Sequence, residues 1–285
     1  MATRRFFLCG IGAAFSQLPQ LSSAKPQNAS FEVLLSQALQ SPELLTETRS
    51  DREGRQNEYD IFGQGKGMAP RYKPSITEIS TDAIELIKIF EISNKSVYKN
   101  KYRKPIWPKG KSGVTIGVGY DIGYADPAWV AEDWNGILNK SKIDMLAGAC
   151  RITGAPASQL VPALQSVSIE WEDAEKQFLS TSLPRYVAQT EASLKNTKEL
   201  SKDSLGALVS LVYNRGPSFK LTGNRYAEMR AIRVHMVKQE FDKIPQEIRN
   251  MARLWKDTAV SGLVTRRLLE AALFERGLAG KGKIS

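Results

Sequence analysis

The sequence predicts an α+β domain that is mostly helical and has one small antiparallel β-sheet or hairpin. Apolar residues recur at helical spacing in five segments between residues 170 and 276, whereas one segment, 114–121, alternates large and small residues with the period of two that strands show. The chain has 285 residues, of which 42% are hydrophobic and 25% are charged. A chain of this length and composition can bury a full core, so we expect one large domain with short additions.

The first 24 residues are typical of an export signal and are excluded from the fold. Arg4 and Arg5 precede an apolar run, and small residues suit cleavage after Ala24. The stretch Thr3 to Leu8 resembles the twin-arginine export signal, with an ordinary secretory signal as the alternative. We expect the mature protein to reach the periplasm or to be secreted.

The composition also restricts the available chemistry. The chain has one histidine, His235, and two cysteines, Cys9 and Cys150, so a zinc site built from His and Cys cannot be assembled. We therefore expect no metal and no cofactor, which excludes zinc amidases and zinc peptidases. A catalytic pair of Cys150 with His235 is an alternative, but the abundant chemistry is that of the 30 carboxylates.

The charge indicates a polyanionic partner. The whole chain carries a formal charge of +10, and removing the export signal leaves 38 basic and 30 acidic side chains, a charge of +8. This balance suits an anionic polymer such as peptidoglycan. Nucleic acid is the rival, but export and the lack of a helix-turn-helix or finger pattern argue against it. No later segment reaches the length of a membrane span, and we expect a monomer.

Residues 25–79 are interpreted as an N-terminal arm, and the ordered domain is expected over 80–280. The arm has one short amphipathic stretch, Phe31 to Leu39, followed by a charged segment punctuated by Gly and Pro, which is typical of a linker or a loosely packed arm. In the domain, Asp82 with Glu85 three residues later is a capping pattern, and it predicts a first helix that continues to Glu91.

A basic loop over 95–111 separates this helix from the β-element. In the β-element, Thr115, Gly117, Gly119 and Asp121 share one face, and the apolar residues between them share the other. A straight strand would hold Thr115 and Asp121 about 20 Å apart. Glycine tolerates positive φ and lets a ligand approach the backbone. We therefore expect a hairpin or bulge near the two glycines.

Helical periodicity dominates the rest of the chain. It predicts helices over 170–186, 202–213, 226–241, 245–255 and 265–276. The second is expected to end at Asn214-Arg215-Gly216-Pro217, and the last is expected to be closed by Gly277.

Two acids suit glycosidic chemistry. Glu91 lies between Phe90 and Ile92, where partial burial would raise its pKa and keep it protonated near neutral pH. Such an acid can protonate a glycosidic oxygen while an ionised carboxylate, here Asp121, activates water or stabilises the transition state. The alternative is that both are solvated surface acids.

Three motifs resemble the phage-type lysozyme and endolysin family. Glu91, Tyr98 and the run 113–119 (GVTIGVG) resemble its catalytic segment, in which a Glu ends the first helix and a Thr-Ile-Gly-x-Gly strand follows. The run 207–216 (ALVSLVYNRG) is similar to its central helix. Trp255 with Gly262-Leu263-Val264-Thr265-Arg266-Arg267 and Glu270 resembles its closing pattern. The three motifs cover residues 80–276 in the family's order.

The resemblance implies a lysozyme-like fold, with the hairpin beside an active-site cleft, and the activity of a muramidase, a glycoside hydrolase. It would cleave the β-1,4 bond between N-acetylmuramic acid and N-acetylglucosamine in peptidoglycan glycan strands. The family's usual second acidic position is Asn100 here. Pesticin-like muramidases instead combine a Glu, a Thr and an Asp six residues beyond the Thr, a spacing that Thr115 and Asp121 match.

The resemblance thus implies Glu91 as general acid, Thr115 as the group that orients the attacking water, and Asp121 as base or electrostatic stabiliser. The substrate-binding residues it implies are Tyr98, Gly117, Gly119, Asn214 and Arg267. Arg266 or Arg267 is alternatively expected to form an ion pair that holds the first helix.

Two other aromatic residues and two other functions complete the expectations. Tyr120 is interpreted as core packing, and Trp107 either stacks on a sugar or anchors its own loop. A lytic transglycosylase, which needs one acid and no attacking water, and an inactive peptidoglycan-binding module are the alternative functions.

Overall fold

The structure, a computed structural model, describes residues 29–40, 71–255 and 261–281. Within these ranges the chain is mostly helical and has one antiparallel two-stranded sheet, which confirms the α+β prediction. The predicted export signal, with Cys9, lies outside the described residues. No helix in the described ranges has both the length and the apolar character that a membrane span needs.

Eleven helices of six residues or more and two strands form the described fold. They are α1 (Phe31–Leu39), α2 (Thr81–Ile92), β1 (Thr115–Ile116), β2 (Tyr120–Asp121), α3 (Pro127–Trp134), α4 (Lys140–Ala147), α5 (Ala155–Leu160), α6 (Trp171–Gln177), α7 (Leu183–Ser193), α8 (Lys202–Arg215), α9 (Ala227–Lys238), α10 (Ile244–Asn250) and α11 (Ser261–Lys281).

Helix α8 is the centre of the core. Every residue from Ser204 to Arg215 is buried, and α2, α7 and α11 pack around it, which explains why its sequence is apolar on all sides. It begins at Ser201, whose Oγ accepts the N–H of Ser204 at 3.1 Å. It ends at Gly216, which has φ +66°. Both ends agree with the prediction.

Helix α11 is longer than predicted, because Gly277 does not close it. The helix continues to Lys281. A Cβ on Gly277 would lie 2.2 Å from Ser201 Oγ and 2.3 Å from Ser204 Oγ. This glycine therefore lets α11 approach the start of α8 closely. In the sequence, a glycine with this packing role looks the same as a glycine that ends a helix.

The other predicted helices are confirmed with changed boundaries. The segment predicted as 170–186 is helical through α6 and α7, with a π-helical turn, Phe178–Ser182, between them. The segment predicted as 226–241 is α9, and that predicted as 245–255 is α10 continued by the 3₁₀ turn Met251–Leu254.

The predicted hairpin is present. Strands β1 and β2 are antiparallel, with Thr115 opposite Asp121 and Ile116 opposite Tyr120. Gly117 and Gly119, in the turn between them, have φ +57° and +72°. An isolated bridge pairs Ile106 with the other edge of Thr115.

The described part of the arm is packed, not loose. Helix α1 lies against α11, where Phe31, Leu34 and Ala38 are buried. Arg276 of α11 fixes it further, because its Nη1 lies 2.9 Å from Glu32 and its guanidinium lies over the Phe31 ring. The amphipathic stretch is thus part of the folded domain.

Two local predictions around α2 are corrected. The N-cap is Ser80, whose Oγ accepts the N–H of Ala83 at 3.3 Å, and Asp82 lies in the first turn. The first half of the expected basic loop is helical, in the turns Lys95–Val97 and Tyr98–Tyr102. The cause is Asn94, whose Oδ1 accepts the N–H of Val97 and starts a new helical turn.

Candidate functional site

A small cleft lies between the end of α2, the helical turn that follows it, and the β-hairpin. It holds about 240 Å³ of empty space and is lined by Glu91, Ile92, Tyr102, Ile106, Thr115, Gly117 and Gly119. Much of this space is open to solvent, and the enclosed part, about 10 Å³, is roughly the room that one water molecule needs. The cleft can therefore enclose only part of a large ligand.

Glu91 occupies this cleft at the penultimate position of α2 and is 6% exposed. Its Oε1 accepts a hydrogen bond from Nη1 of Arg266 at 3.0 Å. The ion pair joins the first helix of the domain to α11, as the alternative interpretation of Arg266 predicts. The Glu91 carboxyl group is thus buried and lies beside one cation.

Arg266 is itself held by a buried group of polar side chains. Its Nε lies 3.2 Å from Glu270 Oε1, and its Nη2 donates to the carbonyl of Ser210 at 3.1 Å. The Ser210 hydroxyl donates to Glu270 at 2.6 Å. The guanidinium lies over the Phe90 ring. The three motifs, far apart in sequence, therefore meet behind the cleft.

Two predicted substrate-binding residues lie in this buried support rather than in the cleft. Arg267 has no exposed surface, and its Nη2 donates to Asn214 Oδ1 and to Glu270 Oε1, both at 3.0 Å. Asn214 is 3% exposed. Because both side chains are buried, Arg267 and Asn214 can affect a ligand only through the residues that they contact. The prediction of direct binding is therefore corrected for both.

Tyr98 is a further correction. Its ring is fully buried, its hydroxyl donates to the carbonyl of Ile169 at 3.0 Å, and it packs edge-on against Trp171. Burial, followed by the nearby charge of Glu170, raises the pKa of Tyr98 well above its ordinary value. Tyr102, one helical turn later, lines the cleft instead. Asn100 is exposed.

Thr115 and the two hairpin glycines line the cleft opposite Glu91, as predicted. Thr115 is 4% exposed, and its hydroxyl lies 3.5 Å from the carbonyl oxygen of Gly113. Gly117 is required for packing as well as for its positive φ, because a Cβ there would lie 2.9 Å from the Trp134 ring. The hairpin thus presents a hydroxyl and bare backbone to the cleft.

Asp121 lies directly across the hairpin from Thr115, so the two side chains project from the same face of the sheet. The carboxylate is turned toward the backbone, however. It accepts the N–H of Gly113 with both oxygens at 3.1 Å and the N–H of Gly123 at 2.9 Å. Asp121 is not among the residues that line the cleft.

The hairpin is fixed to the rest of the domain at its tip. The Tyr213 hydroxyl of α8 donates to the carbonyl of Val118 at 2.7 Å. At Tyr120 the hydroxyl donates to Asp133 Oδ2 at 2.8 Å, and the ring packs edge-on against Trp134. Tyr120 therefore packs against the core, as predicted. Burial, and then Asp133, raise its pKa well above its ordinary value.

The sequence analysis missed the polar group around Asp133. This aspartate is 5% exposed and receives Nη2 of Arg71 at 2.8 Å and Nη1 of Arg185. Its partners lie 62 and 52 residues away. Asp133 follows an acidic residue on a short helix, so no local pattern distinguishes it from a solvated surface acid.

The remaining basic loop forms a rim beside the cleft. Lys109 and Gly110 have φ +80° and +61° and form the tip of a turn. The Trp107 indole N–H donates to the carbonyl of Ser112 at 2.9 Å, so Trp107 anchors its own loop, which is one of the two interpretations given above. Lys99, Lys104 and Lys109 are exposed on this side of the domain.

Comparison with known proteins gives one partial match. A family model described as a domain of unknown function (DUF8812) matches residues 89–203, which include Glu91, the cleft and the hairpin but not α11. The match covers less than half of the chain. No curated protein matches it.

Proposed function

We propose that this protein is an exported muramidase with a lysozyme-like fold that cleaves the β-1,4 bond between N-acetylmuramic acid and N-acetylglucosamine in peptidoglycan. The observation that carries the proposal is the shared cleft of Glu91 and Thr115, with the bare backbone of Gly117 and Gly119 beside them. A glycosidase needs an acid next to a surface that a sugar chain can approach closely, and this cleft supplies both.

In this proposal Glu91 donates the proton to the glycosidic oxygen. Arg266 fixes the direction of the carboxyl group, because it donates a hydrogen bond to Oε1 at 3.0 Å. Thr115 orients the attacking water through its hydroxyl group. The glycosidic C–O bond breaks as water forms a new C–O bond at the same carbon, and the proton that the water loses restores the Glu91 acid, so one water is added to the products overall.

Asp121 is assigned the role of electrostatic stabiliser rather than base. The backbone N–H groups of Gly113 and Gly123 donate to its two oxygens and hold the carboxylate against the hairpin backbone. A fixed negative charge on the hairpin can still stabilise the oxocarbenium-like transition state across a short distance.

The basic rim supports peptidoglycan as the substrate. Lys99, Lys104 and Lys109 are exposed on the segment that also supplies Tyr102 and Ile106 to the cleft, and the whole chain carries a charge of +10. The peptide stems of peptidoglycan end in carboxylates, so this charge would raise the local concentration of the polymer. We expect cleavage of intact sacculi to weaken as salt is added.

A lytic transglycosylase is the second candidate, and one observation favours it. Among the described residues that line the cleft, Glu91 is the only acid. A transglycosylase needs one acid, because the sugar's own 6-hydroxyl replaces water. Its products are anhydro sugars that have one water less than those of a hydrolase.

Thr115→Val separates the two candidates. The change keeps the shape of the side chain and removes the hydroxyl, so a hydrolase should lose most of its rate, about tenfold or more. A transglycosylase should keep its rate. Mass spectrometry of the wild-type products identifies the reaction independently, because reducing-end N-acetylmuramic acid supports the hydrolase and anhydro ends support the transglycosylase. A protein that sediments with sacculi but releases neither product is a binding module.

A further inference from the structure

Immediately after Glu91, the backbone makes a turn of rare geometry. Ser93 has φ +62° and ψ −68°, and the N–H of Asn94 donates to the carbonyl of Ile92 at 2.8 Å. A three-residue turn closed by such a hydrogen bond is a γ-turn. With a positive φ at its central residue, this turn is rare, and it is strained when that residue has a Cβ. It lies at the end of α2, two residues from the candidate acid.

The turn joins two walls of the cleft. The N–H of Ser93 donates to the carbonyl of Ile89 at 3.0 Å, which is the last backbone bond of α2. Asn94 then caps the next helical turn, and that segment continues to Tyr102 in the opposite wall. Ser93, followed by the extended Asn94, therefore forms the joint that sets the angle between the helix of Glu91 and the segment of Tyr102.

Ser93 also stores a second unfavourable feature. The residue is 8% exposed, and among the described residues its hydroxyl has no hydrogen-bond partner. Strain and a buried unpaired hydroxyl both lower stability. The turn persists because the segment beyond it is clamped from outside, by Tyr98 on the Ile169 carbonyl and on the Trp171 ring.

We propose that Ser93 is a positioning residue that fixes the width of the cleft between Glu91 and Tyr102. The proposal rests on the function proposed above for Glu91. A residue with a Cβ that is held at this positive φ has few neighbouring conformations, so the joint is stiff. Glycine adopts the same turn without strain but also has many other conformations available, so it would loosen the joint while relieving the fold.

The test compares Ser93→Gly with Ser93→Ala and with a control glycine elsewhere. Alanine keeps the Cβ and removes the hydroxyl. Gln239, at the end of α9, has φ +60° and ψ +26° and is exposed, so Gln239→Gly introduces a glycine at another positive φ, in the milder left-handed helical conformation, far from this joint. Hydrogen exchange of residues 94–104, thermal unfolding and the kcat and KM for peptidoglycan cleavage are measured for all three.

We expect Ser93→Gly to raise exchange in residues 94–104 and to lower kcat about tenfold, with KM little changed and with a melting temperature equal to or above that of the wild type. Ser93→Ala and Gln239→Gly should keep wild-type exchange in this segment and wild-type kcat. If the melting temperature and kcat of the Ser93 variants change together, the role of Ser93 is purely structural.

The proposal is overturned if Ser93→Gly and Ser93→Ala give the same exchange and kcat, or if the loss of kcat in Ser93→Gly accompanies a lower melting temperature. Failure of the proposed function is distinguishable from this result. If the wild type releases no product, the muramidase proposal fails, while the exchange of residues 94–104 still decides whether Ser93 stiffens the joint.

Discussion

The two sides of the cleft are held in place in different ways. On the helix side, Glu91 is held by Arg266, which lies 175 residues further along the chain, among buried charged side chains of α11 and polar side chains of α8. On the hairpin side, Asp121 is held by the backbone of Gly113 and Gly123, eight and two residues away. One side requires the assembled domain, and the other requires a correctly formed turn.

This difference predicts on which side of the cleft substitutions lower stability most. Arg266, Arg267, Glu91 and Glu270 are almost fully enclosed, so removing one member takes an ion-pair partner from a buried group in a medium of low dielectric. On the hairpin side, Asp121 is held by hydrogen bonds within eight residues along the chain, so its replacement disturbs mainly local geometry. We therefore expect larger losses of stability from the helix side, although both sides face the same cleft.

The largest expected effect is that of Arg266→Met. It leaves Glu91 and Glu270 buried without their shared cation, so we expect the free energy of unfolding to fall by about 3–5 kcal/mol. Urea denaturation measures the change. The control is Lys140→Met, which breaks the exposed pair with Asp144 and should have little effect. Equal losses in the two variants would contradict a dominant role for the buried group.

The next largest effect concerns the packing of the hairpin at Gly117. Gly117 and Gly136 both have positive φ, +57° and +69°, but a Cβ would meet Trp134 at 2.9 Å only at Gly117, whereas nothing lies within 4 Å at Gly136. We expect Gly117→Ala to lose about 1–3 kcal/mol more stability than Gly136→Ala, the usual cost of overpacking. A difference near zero would mean that the Trp134 ring moves aside freely.

Asp121→Asn should have a smaller effect. The amide still accepts a hydrogen bond but loses the charge that strengthens the bonds from Gly113 and Gly123, so we expect a loss of about 1–2 kcal/mol. Asp126→Asn is the matched control, because Asp126 caps α3 through the N–H of Ala128, where Asn serves nearly as well as Asp. If the control loses as much, the Asp121 carboxylate has no special role in holding the hairpin.

The smallest effect concerns Cys150. Three residues further along the chain, Thr153 forms an isolated bridge with Gly113, which precedes the hairpin. Burial, followed by the nearby charge of Asp126, raises the pKa of this thiol from 9 to about 11. The folded state thus keeps the proton more tightly than the unfolded state. Its contribution to stability is complete below pH 9 and is lost between pH 9 and about 11. The unfolding midpoint of Cys150→Ala should fall less steeply over this range than that of the wild type.

Local features of the site were predictable from the sequence. The two glycines between Thr115 and Asp121 required a reversal of the strand, and the hairpin is there. The end of α8 at Gly216 followed from the Asn-Arg-Gly-Pro sequence. These features depend on φ preferences and hydrogen bonds within a few residues, which local patterns record.

Features that depend on distant contacts were not predictable in the same way. Gly277 resembles a helix stop until its contact with Ser201 is seen, and Arg267 resembles a ligand-binding residue until its burial is known. Asp133 gained its role from Arg71 and Arg185, neither of which is near it in sequence. A residue's partners across the fold decide such roles, and one sequence does not record them.

Glu91 offers the most direct test of the central claim. Glu91→Gln keeps an acceptor for Arg266 and removes the proton donor, and its rate is compared with that of the wild type by mass spectrometry on defined muropeptide strands. We expect the wild type to release fragments that end in reducing N-acetylmuramic acid, and the variant to be slower by at least about a hundredfold while it remains folded. Cleavage by the variant at the wild-type rate would contradict the account.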